Sequence, residues 1–441
     1  MSGSLSSMFG SGGRGRTNQK SHAQLKTEVC RKLIDELDLH EARSMPLPEL
    51  RRECRRRADV LLNQQDYPLT ESEKDTLLKD ILNDIFGLGP LEEFMDDPNI
   101  SDILVNGHKH IYIERDGRLV RTDAEFRDES HLLQVIHRIA TQVGRRIDES
   151  APMLDARLMD GSRVNAIIPP LALDGPALSI RRFGTIRMDT EKLVEVGTLT
   201  EEIAIFLKEC VRCRMNVVIS GGTGAGKTTL LNVISRWIPE EERLVTIEDA
   251  AELQLQREHV VRLETRPPNI EGKGEVTQRE LLRNSLRMRP DRIIIGEVRG
   301  PETVDMLQAM NTGHEGSLTT VHSNSTRDAL ARIENMVSMA GVNYPVRVVR
   351  TQMASALDLM VHLDRLTGGA RRIIEVAEIT GLEGEVITMH DLFRYVQTGL
   401  DDEGSAEGYF EACGTRPALL SRLEAEGAEL PQGLFRHRVL E

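Results

Sequence analysis

One octapeptide constrains the fold of this chain more than any other stretch. Gly221-Gly222-Thr223-Gly224-Ala225-Gly226-Lys227-Thr228 fits the phosphate-loop pattern G-x-x-x-x-G-K-[ST]. It follows the apolar run Asn216-Val217-Val218-Ile219 and leads into the helical pattern Thr229-Leu230-Leu231-Asn232-Val233-Ile234. Strand, loop and helix in that order form the context in which the pattern binds phosphate. Its four glycines let backbone N–H groups curl around an anion with no Cβ in the way. The following helix adds free N–H groups and the positive end of its dipole. Lys227 is placed as a point charge for β- and γ-phosphates, and the Thr228 hydroxyl as a ligand for Mg²⁺. With Thr229 they complete the candidate nucleotide-binding residues, and ATP and Mg²⁺ are the expected ligands. The bland alternative is a glycine-rich turn.

The chain has 441 residues, too many for one core, so two or three domains are expected. Apolar content of 39% and charged content of 29% suit a soluble globular protein. No stretch approaches the ~18 uncharged apolar residues that span a bilayer. The N-terminus lacks an apolar signal core, so secretion is not expected. A net charge of −14 argues against a general nucleic-acid binder. The five cysteines, at 30, 54, 210, 213 and 413, are too few and scattered for a disulfide framework. Cys210-x-x-Cys213 has no second pair at zinc-like spacing, and reduced thiols are expected.

Residues 1–20 are Ser, Gly and basic residues with almost nothing to bury, and are expected to be disordered. Residues 21–86 read as a three-helix bundle: Leu25, Val29, Leu33, Ile34 and Leu37 recur at helical spacing, as do Leu50, Cys54, Ala58, Leu61 and Leu62. Pro46 and Pro48 separate those two segments. A third opens at Thr70 with Glu73 as a capping box. Arg51, Arg52, Arg55, Arg56 and Arg57 read as a solvated face, with acidic lipid or a partner as the alternative. Residues 87–188 read as an α+β domain. Ile111-Tyr112-Ile113 and Leu119-Val120 flank the turn Asp116-Gly117, a second hairpin is centred on Asp160-Gly161, and Leu132–Val143 forms an apolar stripe ended by Gly144. A linker is expected at 189–199. Residues 200–398 alternate helices with short apolar runs, as α/β domains do, and 399–441 read as an acidic C-terminal tail.

Candidate chemistry sits at the ends of the apolar runs. Leu244–Ile247 is followed by Glu248-Asp249, and Ile293–Ile295 by Gly296-Glu297. In doubly wound sheets ligands sit beyond the carboxyl ends of the strands. Glu248 and Glu297 are therefore candidates to hold Mg²⁺ through water and to activate the attacking water. Gly313–Ser325 carries His314 and His322, two candidate readers of the γ-phosphate. Arg157, Arg163, Arg181 and Arg182 lie outside the P-loop domain, and a guanidinium supplied from another domain or subunit can complete a phosphoryl-transfer site. Arg279, Arg283 and Arg287 stand at i, i+4 and i+8 and suggest a subunit contact.

Four motifs now stand in one order: GGTGAGKTT at 221–229, TIEDAAELQL at 246–255, RPDRIIIGEVRG at 289–300 and TGHEGSLTTVHSNS at 312–325. Together the four resemble the Walker A, Asp box, Walker B and His box of the secretion ATPases of type II and type IV systems and type IV pili. DARLMDGSRVNAIIPP and LSIRRFG within 151–183 are similar to the branch typified by CpaF, the ATPase of tight-adherence (Flp, Tad) pili. The resemblance covers about 70 to 400. It implies a RecA-like P-loop domain with a parallel-rich sheet, preceded by an α+β domain and the helical bundle. It also implies a homohexameric, Mg-dependent ATPase at the cytoplasmic face of the bacterial inner membrane. Such a ring is peripheral, works through inner-membrane platform proteins and needs no specific nucleic acid. Its catalytic set would be Lys227, Glu248, Glu297, His322 and some of Arg157, Arg163, Arg181 and Arg182, with His314 as a second His-box residue. The implied work is assembly, or also retraction, of a tight-adherence pilus. The alternative is a VirB11-type ATPase of type IV secretion, transferring DNA or effectors; a kinase or regulatory nucleotide-binding module is the rival from another class.

Overall fold

The computed structural model describes residues 22–36, 47–64, 69–115, 117–182, 188–255, 257–268, 273–341, 344–402 and 404–440. The expectation for residues 1–20, and those resting on Leu37, Pro46, Asp116 and Phe183, lie outside the described residues.

Helices α1 (His22–Glu36), α2 (Leu47–Gln64) and α3 (Glu71–Phe86) bury Leu25, Leu33, Cys54, Ala58, Leu77 and Ile81 in one cluster. The capping box at the start of α3 is present: Thr70 N–H donates to Glu73 at 2.8 Å, and Glu73 N–H to Thr70 Oγ1 at 3.3 Å. The arginines of α2 largely answer their own chain. Arg56 and Arg57 pair with Glu53 at 2.7 Å, and Arg55 with Asp75 at 3.5 Å.

After a short helix α4 (Glu92–Asp96) come β1 (Ile100–Asn106), β2 (Ile111–Arg115), β3 (Arg118–Arg121), α5 (Glu129–Gln142), β4 (Met153–Arg157), β5 (Arg163–Ile167) and β6 (Ala177–Arg181). The strands form an antiparallel sheet ordered β3-β2-β1-β6-β5-β4. Period-2 alternation puts Ile103, Val105, Ile111, Val164 and Ile180 on one face, and the stripe of α5 covers that face with Leu132, Val135, Ile136 and Ile139. The stretch 189–199 is not simply a linker. Asp189 caps a short helix, α6 (Thr190–Glu195), and Leu193 and Leu199 enter the core of the next domain.

That domain begins with α7 (Glu201–Arg212), β7 (Val217–Gly221), α8 (Lys227–Ser235), β8 (Leu244–Glu248) and β9 (Val260–Glu264). It continues with α9 (Gln278–Ser285), β10 (Arg292–Ile295), α10 (Glu302–Asn311), β11 (Leu318–His322), α11 (Thr326–Ser338), α12 (Val346–Ala356) and β12 (Leu359–Arg365). The order β12-β7-β11-β10-β8-β9 is parallel throughout. Val217 and Ile219 face one core and Val218 the other, so the P-loop strand is buried on both sides. This accounts for its uninterrupted apolar run.

The acidic tail expected at 399–441 is a misreading. Strands β13 (Arg371–Glu383), β14 (Val386–Leu400), β15 (Ala406–Ala412) and β16 (Arg438–Val439), with α13 (Leu420–Ala425) between the last two, extend the same sheet antiparallel. The acidic, Gly-containing stretch after Leu400 is a hairpin turn: Asp401 N–H donates to Ser405 O at 2.8 Å, and Gly404 takes a φ of 78°. Phe410, Leu423, Leu434 and Leu440 then join the core that holds the P-loop strand.

One buried ion pair braces the far edge of the parallel sheet. Arg292, fully buried at the start of β10, donates to Glu242 at 2.5 and 3.0 Å. Gly316, at a φ of 81°, leaves the room: a Cβ there would stand 2.7 Å from the guanidinium. Removing one member strands the other charge. Glu242→Ala is therefore expected to lower the stability of this domain by about 3–5 kcal/mol. An earlier urea midpoint, followed by a reporter within the domain, checks this.

Candidate active site

The strands β7, β11, β10 and β8 run side by side and end on the same edge. His322 is in register with Gly221, and Ile295 pairs with Thr319 on one side and Ile247 on the other. The P-loop, His322, Glu297 and Glu248 therefore meet along one rim.

The loop demands its glycines in three ways. A Cβ on Gly221 would stand 2.4 Å from Leu363 O on the neighbouring strand. Gly224 takes a φ of 72°, and Gly226, the cap residue of α8, takes 99°, both left-handed. Ala225 is buried under the loop, Thr223 is exposed, and Thr228 and Thr229 lie half-buried in the first turn of α8. Lys227 is buried, its ammonium donating to Gly221 O at 3.0 Å and Gly222 O at 2.8 Å. Desolvation lowers its pKa; Glu297 opposes the shift, and Arg181 and Arg299 add to it.

His322 stands between the P-loop and the Walker B strand. Its Nε2 lies 3.4 Å from Lys227 Nζ and 3.4 Å from Glu297 Oε1. Burial lowers its pKa, and the charges of Lys227, Arg299 and Arg332 work the same way against Glu297, which favours the neutral ring. The second oxygen of Glu297 accepts from Arg299 at 2.6 Å, and Arg299 also reaches Asp249 at 3.6 Å.

Glu248 is a different kind of acid. Its Oε2 accepts from the N–H groups of Glu252 at 2.7 Å and Leu253 at 2.9 Å, shaping the Asp-box turn. Its Oε1 is buried and has no partner among the described residues. Burial pushes this carboxyl up to about 7, with the two N–H bonds opposing. The same side chain explains the residue before Glu297. A Cβ on Gly296, just past the end of β10, would stand 2.9 Å from Glu248 Cγ, so the chain passes there as glycine.

The remaining candidates separate. Arg181 lies close enough to the loop to act on Lys227 and Arg371. Arg157 crosses to the Asp-box turn, donating to Ala251 O at 2.9 Å with Glu264 at 3.4 Å. Arg163 clasps Asp155 at 2.8 and 3.2 Å, with Glu252 and Asp249 adding to its field. Two candidates lie apart from the loop within this chain. Arg182 is engaged by its own domain, donating to the carbonyls of Asp97 and Ile100. His314 precedes β11, at the opposite end of the strand from His322, so within one chain it faces away from the P-loop. Arg279 and Arg283 both bind Asp305, at 2.7 and 3.1 Å, and Arg287 lies past the end of α9, so the supposed stripe is answered within the chain.

The family pattern described as type II/IV secretion system protein matches residues 85–390. A putative conjugal transfer protein of Mycobacterium tuberculosis is 36% identical over 344 residues, 77% of this chain and 97% of its own. The chain belongs to the type II/IV secretion system protein family. Another family relative, type IV secretion system protein VirB11 of Brucella abortus, is 32% identical over 320 residues, 66% of this chain and 88% of its own. Among solved structures, the pilus retraction motor PilT with bound ADP is 18% identical, covering 77% of this chain and 86% of its own, with a TM-score of 0.49. These matches do not single out the tight-adherence branch of the family.

Sequence reading missed two residues at the loop. Arg371 Nε donates to Gly224 O at 2.9 Å, and Arg365 approaches the same glycine. They flank the turn between β12 and β13, and the paired glycines Gly368-Gly369 between two arginines were the available signal.

The environment of Glu248 gives a direct test. The raised pKa means its carboxyl is protonated below about 7 and ionises above it, well beyond the range of an ordinary glutamate. An infrared titration is expected to lose one protonated-carboxyl band through neutral pH, and Glu248→Gln is expected to lack it.

Proposed function

We propose that the chain hydrolyses ATP and powers a type II/IV secretion or pilus machine. The supporting observation is the meeting, on one sheet rim, of a cationic glycine loop with two acids in unlike environments and a histidine whose neutral form burial favours. The loop fits a polyphosphate: its backbone is open, its helix dipole points inward, and Lys227 holds a charge that Glu297 only partly balances. Mg²⁺ would be held by the Thr228 hydroxyl and, through water, by Glu297 and by Glu248 once it is ionised. That ion would neutralise charge on the phosphate oxygens.

In this reading Lys227 orients the β- and γ-phosphates. Glu297 takes the proton of the attacking water as the new P–O bond forms and the bond from the γ-phosphorus to the β-bridging oxygen breaks, leaving ADP and phosphate. His322, neutral and between Lys227 and Glu297, donates a hydrogen bond to the transferring group. Glu248 holds the Asp-box turn against the Walker B strand, and its ionisation above about 7 adds a second acid to the rim. Arg157, Arg163 and Arg181 come from the preceding domain and would close on nucleotide within a homohexameric ring. The ring would sit on the inner face of the bacterial inner membrane through platform proteins. No helix among the described residues is long and apolar enough to cross a membrane.

Two kinds of cargo fit this motor. The segment 151–183 and the bundle α1–α3 favour assembly of a tight-adherence pilus. The conjugal-transfer and VirB11 relatives favour DNA or effector transfer. Deleting the gene and scoring surface fibres against DNA transfer separates them.

Phosphate release from Mg-ATP, measured against protein concentration, tests the chemistry. Specific activity is expected to rise steeply with concentration and to vanish in Lys227→Ala. Glu297→Gln is expected to bind nucleotide and turn over ~10²–10⁴-fold more slowly. Full activity in Glu297→Gln would move the proton transfer to Glu248, and activity in a dilute monomer would sink the intersubunit site.

A further inference from the structure

The P-loop is gripped from a direction its motif does not predict. Arg371, the first residue of β13, donates its Nε–H to Gly224 O at 2.9 Å. Its Cδ stands 3.4 Å from where a Cβ on Gly226 would be, so the side chain lies across both left-handed glycines. Arg365, the last residue of β12, stands 3.7 Å from the Cβ position of Gly224 and turns the other way. It donates to Gly117 O in the turn between β2 and β3 and faces Glu114 at 3.5 Å. Gly117 itself takes a φ of 76°, and a Cβ there would stand 3.4 Å from Arg365. The loop, the β12–β13 turn and the β2–β3 hairpin thus form one continuous contact between two domains.

The charges around this contact are unbalanced. Arg365, Arg181 and Lys227 are cations, and Arg371 is desolvated beside the first two; among the described residues the acids that act most on Arg371 and Lys227 are Glu114 and Asp102, both from the preceding domain, and Glu297 across the rim. A polyphosphate entering the loop adds the anion this cluster lacks, and it competes with Glu114 for Arg365.

We propose that Arg371 is a positioning residue that holds the P-loop backbone open for polyphosphate, and that Arg365 is a strut that passes the loop's occupancy to the β2–β3 hairpin by exchanging Glu114 for phosphate. The proposal rests on the reading of the loop as a nucleotide site. It assigns the coupling between the two domains to a defined pair of side chains and does not require a neighbouring subunit.

The test uses the full chain with a fluorescent ADP analogue and Mg²⁺. Arg371→Ala is expected to weaken binding about tenfold or more, the loss typical of a charge-assisted hydrogen bond. Arg371→Lys, which keeps the charge and packing but loses the Nε–H fork, is expected to fall between, and it remains informative if the alanine variant folds poorly. In the wild type, hydrogen exchange in the peptide 111–121 is expected to change on saturation with nucleotide. In Arg365→Ala, also at saturation, that change is expected to disappear. Wild-type affinity in both Arg371 variants, or a nucleotide-dependent hairpin in Arg365→Ala equal to wild type, overturns this inference alone. A wild type that binds no nucleotide overturns it together with the ATPase reading.

Discussion

An ammonium group out of water is the constraint around which this site is arranged. Lys227 is buried at the foot of α8, and burial acts against its charge before any neighbour does. Two loop carbonyls receive its protons, and the carboxylate that answers its charge is Glu297 on another strand. Meanwhile Arg181 and Arg299 add positive field. A buried cation is tolerated when it is paired and hydrogen-bonded. Here Glu297 opposes the cost of burial while Arg181 and Arg299 add to it. The same constraint demands parallel topology: only strands whose carboxyl ends share a rim can bring Gly221, His322 and Glu297 to one ammonium.

The two acids differ because their strands give them different surroundings. Glu297 looks outward, between a histidine and an arginine. Glu248 is turned inward, with one oxygen satisfied by the N–H groups of Glu252 and Leu253 and the other by no partner among the described residues. A carboxyl so placed titrates near neutrality, whereas one facing Arg299 has a partner for its charged form. Their proximity also removes the side chain at Gly296, where a Cβ would run into Glu248. The glycine before Glu297 is thus a local packing consequence of Glu248, whose Cγ fills the space that a Cβ at 296 would take.

What was legible in the sequence was local. The P-loop, the buried strands 244–247 and 293–295, the capping box at Thr70 and the hairpin around Asp160-Gly161 each carry their signal within a dozen residues, and each element is found where the pattern put it. What was not legible depends on contacts far apart in the chain. An acidic, Gly-containing stretch after Leu400 has the composition of a tail, but pairing of β15 with β14 makes it a turn, and that pairing is settled by Phe410 and Leu440 reaching a core built 200 residues earlier. His314 and His322 look alike in a Gly- and Thr-rich run; the strand between them sends them to opposite edges. Arg181 and Arg182 are neighbours, yet one points its field at Lys227 and the other holds carbonyls at the start of β1.

The domain before the P-loop matters for the same reason. Most of its arginines that approach the rim are restrained by acids or carbonyls: Arg157 by Ala251 and Glu264, Arg163 by Asp155. Exposed pairs of this kind are worth little, on the order of 1 kcal/mol or less each. They are therefore easily exchanged for a phosphate, which offers a denser charge and better geometry to a guanidinium. The ion pairs that cross the boundary, Arg157 with Glu264 and Arg365 with Glu114, are of this weak kind, and a phosphate offers each guanidinium a stronger partner. The cores of the two domains are separate clusters. The arginines at their boundary thus have partners strong enough to orient them and too weak to hold them against a phosphate.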